Sequence, residues 1–210
     1  MQASSHPLLL RRVAPLMCVA ALALGLILTG VAVGAEQDEK PGQWTVTDAR
    51  GAEIKGEDFY GRVTVLLLYA DPSESFVLPI LDDLVVQYGH RSDMALISVV
   101  DVRKVDPEAQ SFAMRRLDAR RLATAARVRR RLERENKPDI HFLSRKLPIV
   151  GDFAGRIFEL YPHWDPKRHT TVVVLSPEGH HVGSWKLTQG ADNGRTLGLV
   201  DDAIQFLLEQ

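Results

Sequence analysis

Cysteine is almost absent from this sequence of 210 residues, whose one cysteine is Cys18. One thiol cannot close a disulfide within the chain, and it cannot supply a zinc site built from several cysteines. A strong excess of either charge is absent as well, because 26 basic residues stand against 27 acidic ones and the formal net charge is -1. This balance gives no reason to expect a nucleic-acid partner.

The composition is otherwise that of a globular protein. Hydrophobic residues make up 45% of the chain and charged residues 25%, so we expect a sizeable hydrophobic core and little disorder. The length fits one domain together with a short additional segment.

Residues 1–35 form that additional segment. They contain Arg11 and Arg12 and no acidic residue, and residues 13–35 are uncharged and rich in Leu, Ala and Val. A basic start, an apolar middle and small residues up to Ala35 predict a secretory signal peptide. Since ~20 apolar residues are enough to cross a bilayer, an uncleaved membrane anchor is the alternative. Either would place residues 36–210, which contain no cysteine, in the periplasm or otherwise outside the cytoplasm.

The first half of this domain has the pattern of a β-α-β unit. Residues 62–69 and 94–100 are near-continuous aliphatic runs, typical of strands that are buried on both faces. Between them, apolar residues from 76 to 88 recur at helical spacing, with Ser75 as the expected N-cap. A unit of this kind implies parallel strands joined by a right-handed crossover.

The second half adds a helical insertion and a hairpin. Residues 104–137 predict a long, arginine-rich helix. Residues 147–150 predict a short strand, followed by a turn and a short helix at 152–161. Strands at 171–175 and 181–187 flank a turn, and a final amphipathic helix is expected at 196–208.

Three segments carry a resemblance to a known family. They are DARG at residues 48–51, IVGDFAGRIFELY at 149–161 and TTVVVLSPEGH at 170–180. Their order resembles that of the thioredoxin-like (redoxin) superfamily over about residues 43–209, and within it the YtfJ-type periplasmic proteins that lack the active-site cysteines. The resemblance implies an α/β fold of three layers, with a central mixed sheet and the helical insertion.

The resemblance also implies a redox site, which the sequence does not complete. Redox-active members carry cysteine in the loop between the first core strand and its helix. Here that loop contains Asp71, Ser73 and Ser75. The cis-proline of the family falls at Thr170 or Thr171. We therefore predict a degenerate redox loop without a catalytic residue, because a serine hydroxyl is not ionised at neutral pH. A serine nucleophile is the alternative, although serine at a helix start is usually a cap.

Two histidines are weak candidates for metal binding. His163 and His169 flank an aspartate in one loop, and imidazole suits copper or zinc outside the cytoplasm. The spacing matches no specific ligand motif, and an ordinary surface loop is the alternative. No cofactor is predicted.

Charge is distributed unevenly along the chain. Residues 111–146 contain 12 basic and 4 acidic residues, a balance of +8, whereas residues 36–110 contain 7 and 15, a balance of -8. We expect Arg127, Arg129, Arg130 and Arg131 to bind an acidic envelope protein or an anionic membrane surface. Alternatively, these arginines pair with the acidic half of the same chain.

The sequence therefore predicts an exported, redox-inactive thioredoxin-like domain that acts as a binding or accessory protein of the cell envelope. The alternative is an accessory redoxin or metal-handling protein that serves a thiol-redox or metallation system without a cysteine of its own.

Overall fold

The computed structural model describes residues 44–70, 73–141, 143–161 and 169–210, with only the backbone of residues 144–145. All described residues belong to one compact unit. The predicted signal segment, Asp71 and His163 lie outside the described residues. No helix in the described part of the chain is long and apolar enough to cross a membrane.

The described residues form one mixed sheet of seven strands, in the order β2-β1-β5-β4-β3-β6-β7. The strands are β1 (Thr45–Asp48), β2 (Glu53–Lys55), β3 (Val63–Ala70), β4 (Met94–Asp101), β5 (Ile149–Asp152), β6 (His169–Leu175) and β7 (His181–Thr188). Five α-helices accompany them: α1 (Glu74–Tyr88), α2 (Gln110–Arg134), α3 (Leu143–Lys146), α4 (Arg156–Leu160) and α5 (Gly194–Leu208). Short 3-10 helices occupy Gly56–Phe59 and Pro107–Ala109.

The centre of the sheet is parallel and its edges are antiparallel. β4 pairs in parallel with β3 and with β5, and Val65 of β3 lies opposite Leu96 of β4. β6 runs antiparallel to β3, and β7 antiparallel to β6. All residues of β3 except Ala70 are buried, because central strands are covered on both faces and require a continuous apolar run.

Helices cover the two faces of the sheet unequally. α1, α2 and α5 pack on one face, where Leu81, Leu117 and Ile204 belong to the larger core cluster. The smaller cluster on the other face includes Trp44 and Phe158, contributed by the start of β1 and by α4. The predicted three-layer α/β fold with a central mixed sheet is confirmed, and α2 lies within the predicted insertion at residues 104–137.

The segments that carried the resemblance contain two related turns. Asp48 accepts hydrogen bonds from the backbone N–H groups of Arg50 and Ala52, and Gly51 has a φ of 84°. Asp152 is buried and accepts hydrogen bonds from the backbone N–H groups at the start of α4, while Gly155 has a φ of 78°. In each turn the carboxylate satisfies backbone donors and the glycine takes a conformation that other residues disfavour.

The start of α1 differs from the prediction. The N-cap residue is Ser73, not Ser75, and its side chain makes no capping hydrogen bond. Ser75 is exposed within the first turn of the helix. The helix starts early because Glu74 already adopts helical geometry, and an acidic residue is favourable at that end of the helix dipole.

Candidate functional site

The loop after β3 is the first candidate site, because the resemblance places redox chemistry there. β3 ends at Ala70 and α1 begins at Glu74. Ser73 is 8% exposed. No catalytic base is hydrogen-bonded to its side chain in the described part of the chain, and a serine nucleophile requires such a partner for activation.

The start of β6 lies beside this loop. Thr171 pairs with Leu68 near the end of β3, so Thr170 and Thr171 lie at the same end of the sheet as Ser73. Both threonine side chains are buried, and their Oγ1 atoms have no hydrogen-bond partner among the described residues. An unpaired buried hydroxyl is unfavourable. The tertiary structure therefore brings Ser73 and Thr170 to one end of the sheet.

The remaining loop candidate, His169, has a partner on the neighbouring strand. Its Nδ1 lies 3.2 Å from the Oγ1 of Thr188. Among the described residues, no group of three or more His, Cys, Asp or Glu side chains is arranged to hold a metal ion. His163 is outside the described residues, so the metal site of His163 and His169 stays a prediction.

The arginine-rich helix α2 is the second candidate site, and ion pairs join it to α1. Arg120 Nη2 lies 2.7 Å from Glu74 Oε2, and Arg127 Nε lies 2.9 Å from Asp82 Oδ2. Arg131 pairs with Asp83 of α1. In these contacts, arginines of α2 pair with the acidic half of the chain, which is the alternative interpretation of the charge pattern.

Arg131 makes a second ion pair, within the end of its own helix. Its Nε lies 2.7 Å from Glu135 Oε1. Hydrogen bonds to Glu135 and Asp83 raise the pKa of the Arg131 guanidinium, and the bond from Arg131 lowers the pKa of Glu135. Arg131 is thus held by two carboxylates and has less capacity to bind an external anion.

An open groove of about 470 Å³ runs along the last two turns of α2, beside α1. Four arginines line it at positions i, i+3, i+4 and i+7, a spacing that places side chains on one face of a helix. Two acidic residues complete the lining, which consists of Asp82, Arg127, Arg130, Arg131, Glu133 and Arg134. We call these residues the arginine groove.

The arginine groove differs from the predicted set in two positions. Arg129 does not line it, and lies 3.5 Å from Asp139 instead. Arg134 lines it, although the sequence analysis did not select that residue. The prediction grouped neighbours along the chain, whereas helical spacing from Arg127 would have found Arg134. Whether these residues bind a partner stays a prediction.

Two guanidinium groups of the arginine groove have no partner in the described part of the chain. Arg130 is exposed, as is Arg134, and neither makes a hydrogen bond or ion pair with any described residue. They stand beside Arg127 and Arg131, whose charges are compensated by carboxylates. Available positive charge in the arginine groove therefore belongs to Arg130 and Arg134.

The strand order defines the class of fold. A parallel centre formed by β3, β4 and β5, an antiparallel β6-β7 hairpin and a final helix make this a thioredoxin-like fold, as predicted. The chain has no C-x-x-C motif, because its one cysteine is Cys18.

Solved structures with a similar arrangement include several thiol-redox proteins. The exposed lipoprotein thioredoxin of Streptococcus pneumoniae matches at 16% identity and a TM-score of 0.47, covering 76% of this chain and 98% of its own. A secreted disulfide oxidoreductase of Mycobacterium tuberculosis, homologous to DsbE, matches at 15% identity and a TM-score of 0.46, covering 79% and 96%. A thiol-disulfide oxidoreductase of Bacteroides fragilis matches at 18% identity and a TM-score of 0.45, covering 76% and 98%.

These similarities are too low to transfer an activity to this chain. A scan against protein-family models gives no match, and a search of curated proteins gives no significant one. The function must therefore be inferred from the residues of this chain.

Proposed function

We propose that this chain is an exported, thiol-independent binding domain of the cell envelope, and that it binds the acidic surface of an envelope protein through the arginine groove. One observation carries the proposal: Arg130 and Arg134 are exposed and have no ion-pair partner among the described residues, beside two arginines that pair with carboxylates of α1. Exposed charges of one sign attract a partner of the opposite charge and increase the rate of association.

The composition of the degenerate redox loop supports a binding role over thiol catalysis. Ser73, the N-cap of α1, and Ser75, in its first turn, stand in the segment where thioredoxin-like enzymes carry cysteine. A hydroxyl cannot exchange with a disulfide, which requires a thiolate nucleophile. Cys18 alone provides one thiol and cannot alternate between a dithiol and an intrachain disulfide.

The N-terminal segment supports export. Arg11 and Arg12 precede an uncharged stretch at residues 13–35 that ends in small residues, the composition of a secretory signal. An uncleaved segment of that length would instead hold the domain at the membrane. Both alternatives give the domain access to the same envelope partners.

Thiol independence is tested on the full chain with an insulin-reduction assay and a thiol-dependent peroxidase assay. We expect no activity in either assay, and the same result for Cys18→Ser. Turnover by the wild-type chain that the serine variant loses would show that Cys18 performs thiol chemistry and would refute thiol independence.

Partner binding is tested by pull-down from envelope extract at two salt concentrations. The double variant Arg130→Ser/Arg134→Ser is expected to lose the partner that the wild type retains at low salt, because screening weakens exposed charge pairs. Arg156→Ser/Arg195→Ser is the matched control, since it removes the same charge from exposed positions elsewhere. Equal recovery with both double variants would refute a role for the arginine groove.

A further inference from the structure

The solvent-facing side of α2 carries two exposed large apolar side chains. Phe112 is 57% exposed and Leu122 is 51% exposed. Ala119 and Ala126, which are also exposed, lie on the same side of the helix. We call these four residues the outer stripe. It lies opposite the buried face of α2, which includes Val128.

Two arginines belong to the same helical pattern as the outer stripe. Arg115 lies between Phe112 and Ala119 in the helical pattern, and Arg129 follows Ala126. Steps of three and four residues alternate along this pattern, which comprises positions 112, 115, 119, 122, 126 and 129. This is the spacing at which one helix presents a continuous seam to another.

Two of the arginines beside the outer stripe are unpaired. Arg115 and Arg130 are exposed and make no hydrogen bond or ion pair with any described residue. Arg129 makes one contact at 3.5 Å with Asp139, and both side chains are about half exposed, at 50% and 52%. These positive charges are available to a partner that approaches the outer stripe.

We propose that the outer stripe binds an amphipathic helix of the partner protein, whose apolar side packs on Phe112 and Leu122 and whose acidic flanks face Arg115, Arg129 and Arg130. This inference rests on the proposed function and specifies the partner. The helical form follows from the three-four spacing, and the alanines allow a second helix to approach closely. The acidic character follows from charge complementarity with the three arginines.

The same observations disfavour a second copy of this chain as the occupant. Parallel pairing of two α2 helices through the outer stripe would place Arg115 opposite Arg115. Antiparallel pairing that brings the two Leu122 side chains together would place Arg115 near Arg129. Both arrangements bring like charges together, and like charges at a helix interface oppose association.

A membrane surface is also a poorer fit than a helix. Phe112 and Leu122 are ten residues apart, roughly 15 Å along the helix axis at 1.5 Å per residue. Two separated side chains with alanine between them offer little apolar area to a bilayer. A partner helix can fill the space over the alanines with its own large side chains.

The experiment uses the full chain and a synthetic 28-residue helical peptide. This peptide carries Leu at its seam positions and Glu at the flanking ones, and a matched peptide carries Lys in place of Glu. Binding is measured by fluorescence anisotropy of the labelled peptide. Phosphatidylglycerol vesicles are a separate arm, with phosphatidylcholine vesicles as their control, and sedimentation reports self-association.

Two single variants isolate the outer stripe. Leu122→Ser removes one of its large apolar side chains, and the matched control Phe206→Ser removes a side chain of α5 that is 64% exposed. The Glu peptide is expected to bind and the Lys peptide is not. Leu122→Ser is expected to weaken binding about tenfold, the change that follows from losing most of the burial of one leucine. Phe206→Ser is expected to change the affinity less than twofold.

Several outcomes would overturn this inference. These are equal binding of the Glu and Lys peptides, equal weakening by Leu122→Ser and Phe206→Ser, and binding to phosphatidylglycerol vesicles without binding to the Glu peptide. Dimerisation that Leu122→Ser abolishes would show that a second copy occupies the outer stripe.

Failure of the inference can be distinguished from failure of the proposed function. If Leu122→Ser keeps the envelope partner and Arg130→Ser/Arg134→Ser loses it, the outer-stripe inference is wrong and the arginine groove remains. If both variants keep the partner, both proposals are wrong.

Discussion

The buried carboxylate of Asp152 gives the most direct test of how the local sequence stabilises this fold. Asp152 is 1% exposed and accepts backbone hydrogen bonds from Arg156 at 3.0 Å, Ile157 at 2.8 Å and Phe158 at 3.4 Å. These donors form the first turn of α4, where N–H groups have no partner within the helix. Asp152→Ala would remove the acceptor for all three.

The expected loss of stability has two contributions. Removing a helix cap costs about 1–2 kcal/mol, and leaving the N–H of Ile157 buried without a partner costs about 1–3 kcal/mol more. We expect a decrease of about 3 kcal/mol in the free energy of unfolding. For a domain of this size, that corresponds to a Tm roughly 6–12 °C lower. Asp152→Asn keeps one acceptor oxygen and should cost about 1 kcal/mol.

Urea unfolding followed by tryptophan fluorescence measures both variants, and a thermal scan gives the change in Tm. Asp202→Ala is the matched control, because Asp202 is exposed on α5 and makes no hydrogen bond with any described residue. If Asp152→Ala unfolds within about 0.5 kcal/mol of the wild type, the range of a neutral surface substitution, the capping role assigned to Asp152 is wrong.

Two further predictions concern the contact between α1 and α5 and the β7 edge of the sheet. The Tyr88 hydroxyl is hydrogen-bonded to Asp201 and lies 3.1 Å from Gln205 Nε2, and burial followed by the bond to Asp201 raises the pKa of Tyr88. Tyr88→Phe should lower the free energy of unfolding by about 1–2 kcal/mol, measured by urea unfolding, and an unchanged midpoint would contradict the network. At the edge, His181 is exposed and its ring lies 5.6 Å from that of Tyr161, and partial desolvation lowers the pKa of His181 below its usual value of about 6.5. The folded state therefore favours neutral imidazole, and its contribution to stability is present above about pH 6.5 and is lost as pH falls. His181→Gln should reduce the difference between the urea midpoints at pH 7 and pH 5, and an unaltered difference would refute this assignment.

Much of the fold was predictable because its main determinants are local in the sequence. The run from Val63 to Tyr69 predicts a strand covered on both faces, and every one of these residues is buried. The helical spacing between Phe76 and Tyr88 predicts α1, and the observed helix also ends at Tyr88. The predicted start of α1 was wrong. Ser75 is a suitable N-cap by residue type, but the helix already begins at Glu74 with Ser73 as its N-cap.

The candidate site was less predictable than the fold. Ser73 and Thr170 lie at one end of the sheet, and their assignment to a degenerate redox site stays a prediction. The sequence did not reveal that Thr170 and Thr171 would be buried with unpaired hydroxyls. The run of neighbouring arginines also did not separate Arg129 from the arginine groove, because adjacent residues of a helix point in different directions.

By itself, the sequence determined the absence of a C-x-x-C motif, the succession of strand, helix and strand from β3 to β4, and the charge asymmetry between residues 36–110 and 111–146. Only the tertiary structure decided which of those charges are compensated. Arg127 pairs with Asp82, which is 45 residues away in the chain, and Arg131 pairs with Asp83. Pairing at that separation depends on how α2 packs against α1. The same packing leaves Arg130 and Arg134 without carboxylate partners among the described residues.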